Sequence, residues 1–159
     1  MRAEFANVFI TGAMRVFTHE IGINLSRKSL TRKNAPVPSL PISIVIGITG
    51  GIRGQVVYSM DTNFAYSVTK AMIPNKLPSE LRKLTNSAVS EIANMITGQA
   101  SITLAGEDKL IHLTPPAVFS GTDMTVDFLS IPTICLSFIS EIGSLEINVA
   151  FTEDQGGEA

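Results

Sequence analysis

"ISIVIGITGGIRGQVVYSM", residues 42–60, sets two runs rich in Ile and Val on either side of a Gly50-Gly51 pair. β-branched and aromatic residues suit a pleated, half-buried surface, and glycines between two such runs form the tight turn of an antiparallel hairpin. The turn, "GITGGIRG", lacks the Lys-Ser/Thr of a P-loop and the G-x-G-x-x-G spacing of a dinucleotide site, so it is read as a turn and not as a phosphate cradle.

Before the hairpin, Phe5, Val8, Phe9, Ala13, Val16, Phe17 and Ile21 recur at spacings of three and four, which predicts a helix over residues 3–21 with Gly22 as its stop. "NLSRKSLTRKNAPVPSLP" follows, and its charges and three prolines mark a loop that opens on a short edge strand at most. After the hairpin, Asp61 is placed to cap a short helix through Met72. Pro74 and Pro78 then punctuate the approach to a second long helix over residues 79–97. From Ala100 onward, "SITLAG", "KLIHLTPPAVF", "MTVDFL", "TICLSFI" and "LEINVAF" read as successive strands.

Residues 1–152 are expected to form one domain and residues 153–159 a frayed tail. The fold class is α+β, with two long helices packed on a mostly antiparallel sheet. An internal echo adds a symmetry to it. The first helix contains "EFAN" and the second "EIAN", and each is followed by a hairpin about fifty residues on, which predicts a pseudo-two-fold relation between two halves.

Composition narrows the function classes. Twelve basic residues stand against fourteen acidic ones, and the basic cluster "SRKSLTRKN" has no interleaved aromatics, so nucleic acid is not an expected partner. Charged residues make up only 16% of the chain, which favours self-association through a covered apolar surface. Cys135, the single cysteine, sits in an apolar run and is expected as a buried free thiol, in keeping with a reducing cytoplasm. No apolar run reaches the length of about 18 residues that crosses a bilayer, and no signal peptide is recognisable, so no membrane association is expected. His19 and His112 lack ligand-like neighbours and are read as surface or packing histidines, with no metal site. Asp123 and Asp127 are read as solvent-facing.

The second long helix carries the one oddity. On a wheel of about 100° per residue, Ser87, Glu91 and Asn94 fall within about 60° of one another, with Glu80, Lys83 and Gly98 on the same side. Leu81, Leu84, Ala88, Val89, Ile92, Met95 and Ile96 fill the opposite side and should meet the sheet. Asn94 and Gly98 both weaken a helix, and at exposed positions they bring no packing return. Such local disagreement with propensity is where functional sites are found. Pro116 follows Asn94 after 21 intervening residues, in a loop "TPPAVF" that can return beside the helix.

Ser87-x3-Glu91-x2-Asn94-x21-Pro116 resembles the signature of the CheC, CheX and FliY phosphatase family of bacterial chemotaxis. "EFANVFITGAMRVF", "ITGGIRGQVVYSM" and "SEIANMITGQA" resemble its CheX-like members. The resemblance implies a CheC-like fold and a phosphatase acting on the aspartyl phosphate of a phosphorylated CheY-type response regulator. It implies Asn94 as the residue that orients the attacking water and Glu91 as the partner of the regulator's lysine, with Ser87, Gly98 and Pro116 shaping the site. No cofactor would be bound by this chain, since the Mg²⁺ belongs to the phosphorylated partner. It also implies a cytoplasmic homodimer joined through sheet edges. The alternative is a non-catalytic module that docks the same helix face on a regulator or motor component. Glu4 and Asn7 repeat the Glu-x-x-Asn pair, but nothing precedes Glu4 at the Ser position and Ser29 stands where a proline belongs, so one site per chain is expected.

Overall fold

A computed structural model describes residues 3–34, 36–129 and 131–153. In chain order its elements are α1 (Ala3–Ile21), β1 (Ser26–Lys33), β2 (Val37–Pro38), β3 (Ile42–Gly50), β4 (Ile52–Met60), α2 (Thr62–Met72), α3 (Pro78–Ala105), β5 (Ile111–Leu113), β6 (Ala117–Ser120), β7 (Thr125–Val126), β8 (Thr133–Ser140) and β9 (Gly143–Glu153).

The hairpin of residues 42–60 is β3 and β4, in register from Ile42 opposite Met60 to Ile48 opposite Gly54. Its turn requires glycine at position 50: φ is +111°, and a Cβ there would lie 2.1 Å from the Leu110 carbonyl oxygen. β8 and β9 form the second hairpin, and β4 pairs with β9 along nine positions from Ile52–Glu153 to Met60–Leu145. The strand order is β1-β8-β9-β4-β3-β5, with β6 also on β3, every pairing being antiparallel.

This order is symmetric about the β4–β9 pair, as the internal echo predicts. The hairpin of each half receives its outer strand from the other half: β1 lies on β8, while β5 and β6 lie on β3. The two-residue strands β2 and β7 pair with each other across the same axis.

One face of the sheet holds the core. Ile44, Ile46 and Ile48 of β3, Val56 and Tyr58 of β4, Leu136 and Phe138 of β8, and Ile147, Val149 and Phe151 of β9 are buried against the helices. α1 contributes Phe5, Phe9, Val16 and Phe17; α2 contributes Phe64 and Val68; α3 contributes Val89, Ile92 and Ile96. α1 passes over α3 at Gly12, where a Cβ would meet the Ile96 carbonyl oxygen at 3.5 Å, an ordinary contact distance. The opposite face carries a smaller cluster in which Val37 of the β2–β7 pair joins Val57, Phe128 and Ala150.

Several expectations are corrected. "SITLAG" is no strand: α3 continues through it to Ala105, two turns beyond the expected end. Its alternating Ser-Ile-Thr-Leu reads as β, but Ala100 and Ser101 are buried and the Ser101 hydroxyl donates to the Thr97 carbonyl at 2.6 Å, so packing overrides propensity. The segment at 26–33 is a full eight-residue edge strand instead of a loop. Its four cations mask the pattern, and charge is how an edge strand avoids pairing with other chains. "MTVDFL" shrinks to Thr125 and Val126, because the Asp127 carboxylate accepts the Leu129 N–H at 2.9 Å and turns the chain. Glu153 ends β9 and so belongs to the sheet, while the rest of the expected tail, residues 154–159, lies outside the described residues.

Candidate functional site

α3 begins where the sequence places it. Pro78 follows the N-cap Leu77, and the Glu80 carboxylate accepts the Leu77 N–H at 3.3 Å, so Glu80 serves the cap rather than the polar row. From there Leu81, Thr85, Ala88, Val89, Ile92, Ala93, Ile96, Thr97, Ala100 and Ser101 are buried. The three buried hydroxyls are satisfied by carbonyls one turn back: Thr85 on Leu81 at 2.9 Å, Thr97 on Ala93 at 2.8 Å, and Ser101 on Thr97.

On the outer side Ser87 and Glu91 are exposed, and Asn94 and Gly98 are half-exposed. At about 1.5 Å of rise per residue, Glu91 and Asn94 stand about one turn apart on one face. Among the described residues, no hydrogen bond or ion pair engages the Glu91 carboxylate or the Asn94 amide. Among the described residues nothing lies within 4 Å of where a Gly98 Cβ would stand, so none of them requires a glycine there.

Pro116 sits at the sheet edge beside this helix. β5 and β6 pair with the same strand, β3, but Leu113 faces Ile48 whereas Ala117 faces Val45, so three residues, 114–116, span the two positions at 46 and 47. Pro115 and Pro116 have no N–H to give the ladder, which makes the bulge here. Thr114 closes it: its N–H donates to the Gly47 carbonyl at 2.9 Å, and its hydroxyl oxygen accepts the Gly47 N–H at 2.8 Å. Both flanking strands, β5 and β6, touch α3.

A residue that sequence reading passed over anchors the site from below. Tyr58 of β4 is completely buried, and its hydroxyl lies 2.7 Å from Thr97 Oγ1, between the Asn94 and Gly98 positions but on the inner side of the helix. The Thr97 hydrogen is already given to Ala93, so the tyrosine is the donor. Only the adjacency of a buried Tyr and a buried Thr in space reveals it, and no sequence spacing does.

The repeat of the pair on α1 is exposed at both Glu4 and Asn7. Asn7 lines a cleft between α1 and α3 with Arg15, Gln99 and Thr103, away from the Ser87–Glu91–Asn94 row. His19 and His112 are exposed. Among the described residues no group of three or more His, Cys, Asp or Glu comes together to hold a metal ion, and no helix is long and apolar enough to cross a membrane. Cys135 is buried in β8, as expected, and its thiol pKa is pushed up by burial, with the Glu146 carboxylate adding to the effect and Lys33 opposing it.

Comparison with known proteins converges on one family. Over 127 residues, 79% of this chain and 81% of its relative, the sequence is 32% identical to the CheY-P phosphatase CheX of Thermotoga maritima. The crystal structure of the chemotaxis protein CheX from Desulfovibrio desulfuricans superposes with a TM-score of 0.83 at 27% identity, covering 95% of this chain and 99% of that one. The same fold occurs in the CheX of a CheX–CheY–BeF3–Mg²⁺ complex from Borrelia burgdorferi, with a TM-score of 0.78 at 20% identity over 96% of this chain and 100% of that one. Residues 42–138, which include the hairpin, α3 and the Pro116 bulge, match the family described as chemotaxis phosphatase CheX, and the chain belongs to that family.

Proposed function

We propose that the chain removes the phosphoryl group from the active-site aspartate of a CheY-type response regulator, using the outer face of α3. The observation that carries this reading is the Glu91–Asn94 pair: two polar side chains about one turn apart on a rigid helix, neither engaged by a partner among the described residues. It is supported by the CheY-P phosphatase activity of the Thermotoga relative and by the Borrelia relative's complex with CheY.

The chemistry asks little of such a surface. An acyl phosphate is already activated, and the regulator brings its own Mg²⁺ and lysine, so acceleration comes from holding a water in line with the phosphorus. The Asn94 carboxamide suits that task, because it offers a donor and an acceptor and stays neutral at any working pH. Its oxygen accepts from the water and orients it, while its amide can reach a phosphoryl oxygen. The Glu91 carboxylate, at the preceding turn, pairs with the regulator's lysine and fixes the register of docking. Ser87 and Pro116 border the site and shape it. The partner's metal stays with the partner.

The test is phosphate release from a CheY-type regulator charged with acetyl phosphate and Mg²⁺. Release faster than autohydrolysis with wild type, and loss of that acceleration in Asn94→Ala, is the expected result. A saturable complex that leaves the phosphate lifetime unchanged would replace this reading with that of a docking module.

A further inference from the structure

α3 runs two turns beyond its expected end, and the extension changes the outer face of the helix. Ile102, which would lie in a strand were "SITLAG" extended, is helical and 76% exposed. It follows Glu91 by eleven residues, which at about 100° per residue brings it back to within about 20° of the same direction, about 16 Å farther along the axis. Gly98 lies between them on that side, half-exposed, with open space where a Cβ would be.

The glycine costs the isolated chain stability and the isoleucine gives it none. A glycine inside a helix is less stable than alanine, and here no contact among the described residues accounts for it. An isoleucine exposed on the last turns of a helix buries nothing. Together they make a flat step followed by an apolar knob, in line with the residues that meet the regulator. We infer that Ile102 is the apolar anchor of the regulator-docking surface: the receiver covers α3 from Glu91 past Gly98, where its backbone approaches closely, and buries Ile102. The occupant is the same regulator because the row is continuous with the Glu91–Asn94 face, so this inference rests on the proposed phosphatase reading. A charged tip paired at one end and a buried apolar side chain at the other fix both register and affinity, as paired rim and core contacts do at other interfaces.

The experiment is steady-state dephosphorylation of a CheY-type regulator charged with acetyl phosphate, comparing wild type, Ile102→Glu and Ile102→Met. Burying an isoleucine is worth about tenfold or more in affinity. Ile102→Glu is therefore expected to raise KM at least tenfold with kcat within twofold of wild type, while Ile102→Met, which keeps an apolar side chain, restores KM. Thermal melting checks that the glutamate variant remains folded, as exposure of the site implies. An unchanged KM in Ile102→Glu overturns the inference while wild-type turnover leaves the phosphatase reading standing. So does an Ile102→Glu effect that appears as a change of oligomeric state with KM unaltered, which would assign the side chain to contact with a second copy. No acceleration by wild type overturns both.

Discussion

The Tyr58 hydroxyl on β4 donates to Thr97 Oγ1 on α3 at 2.7 Å, and Thr97 in turn donates to the Ala93 carbonyl at 2.8 Å. This chain ties the sheet to the turn of helix that presents Asn94. The two ends of the bond are not equivalent. Tyr58→Phe leaves Thr97 still bonded to Ala93 and should cost about 1 kcal/mol, whereas Thr97→Val strands a buried phenol and should cost about 1–3 kcal/mol more. Urea unfolding of the two variants gives the ordering, and equal costs would show that the tyrosine is not the donor.

The same tyrosine predicts a loss of stability in alkali. Burial holds its pKa far above the ordinary tyrosine value of about 10. A group whose folded pKa is raised keeps its contribution below the unfolded pKa and loses it as pH climbs beyond, because the unfolded chain gives up its proton first. Unfolding free energy should therefore fall as pH rises above about 10, and Tyr58→Phe should flatten that fall.

Glu91 and Asn94 should separate kinetically. Asn94→Ala is expected to lower kcat about 100-fold with KM little changed, since only water placement is lost. Glu91→Ala should mainly raise KM, and its effect should shrink as salt is added, because a charge pair at a partly open interface is screened. Phosphate-release kinetics at low and high ionic strength distinguish the two. Both variants should melt close to wild type, as neither side chain is engaged within the described residues.

Gly98→Ala sets stability against activity. With nothing within 4 Å of its Cβ position, the alanine should stabilise α3 by up to about 1 kcal/mol. The added methyl group would stand on the proposed docking face, so turnover at low regulator concentration should fall. A variant both more stable and fully active would remove Gly98 from that face.

Cys135 should be inert in the folded protein. Its thiol is buried and its pKa is raised by that burial, so the thiolate that reacts with disulfide reagents is scarce. Colour from Ellman's reagent at pH 8 should appear only on unfolding, at one thiol per chain.

The parts of the fold that sequence revealed are those where local signals agree with packing. α1 follows its three-and-four spacing from Ala3 to Ile21, and Asp61 caps α2 through the Phe64 N–H at 2.7 Å. Reading failed where packing overrules local preference. Ser101, Ile102 and Thr103 look extended and are helical, and the lysines and arginines of β1 look like a loop and form an edge. The polar row of α3 was legible because a helix displays periodicity in one dimension. The Tyr58–Thr97 tie was not, since it joins residues 39 apart in the chain. Ile102 was missed for the same reason as the end of its helix.

The exchange of outer strands between the halves has a consequence for how the chain can be divided. A cut in the 73–77 connection between α2 and α3 leaves the first fragment with β1 but without β8, and the second with β5 and β6 but without β3. Each fragment would expose the long edge along which β4 and β9 meet. Neither is a subdomain, yet the two are complementary and should reassemble on mixing. The molecule has the wiring of a strand-exchanged dimer whose two subunits have been spliced into one polypeptide.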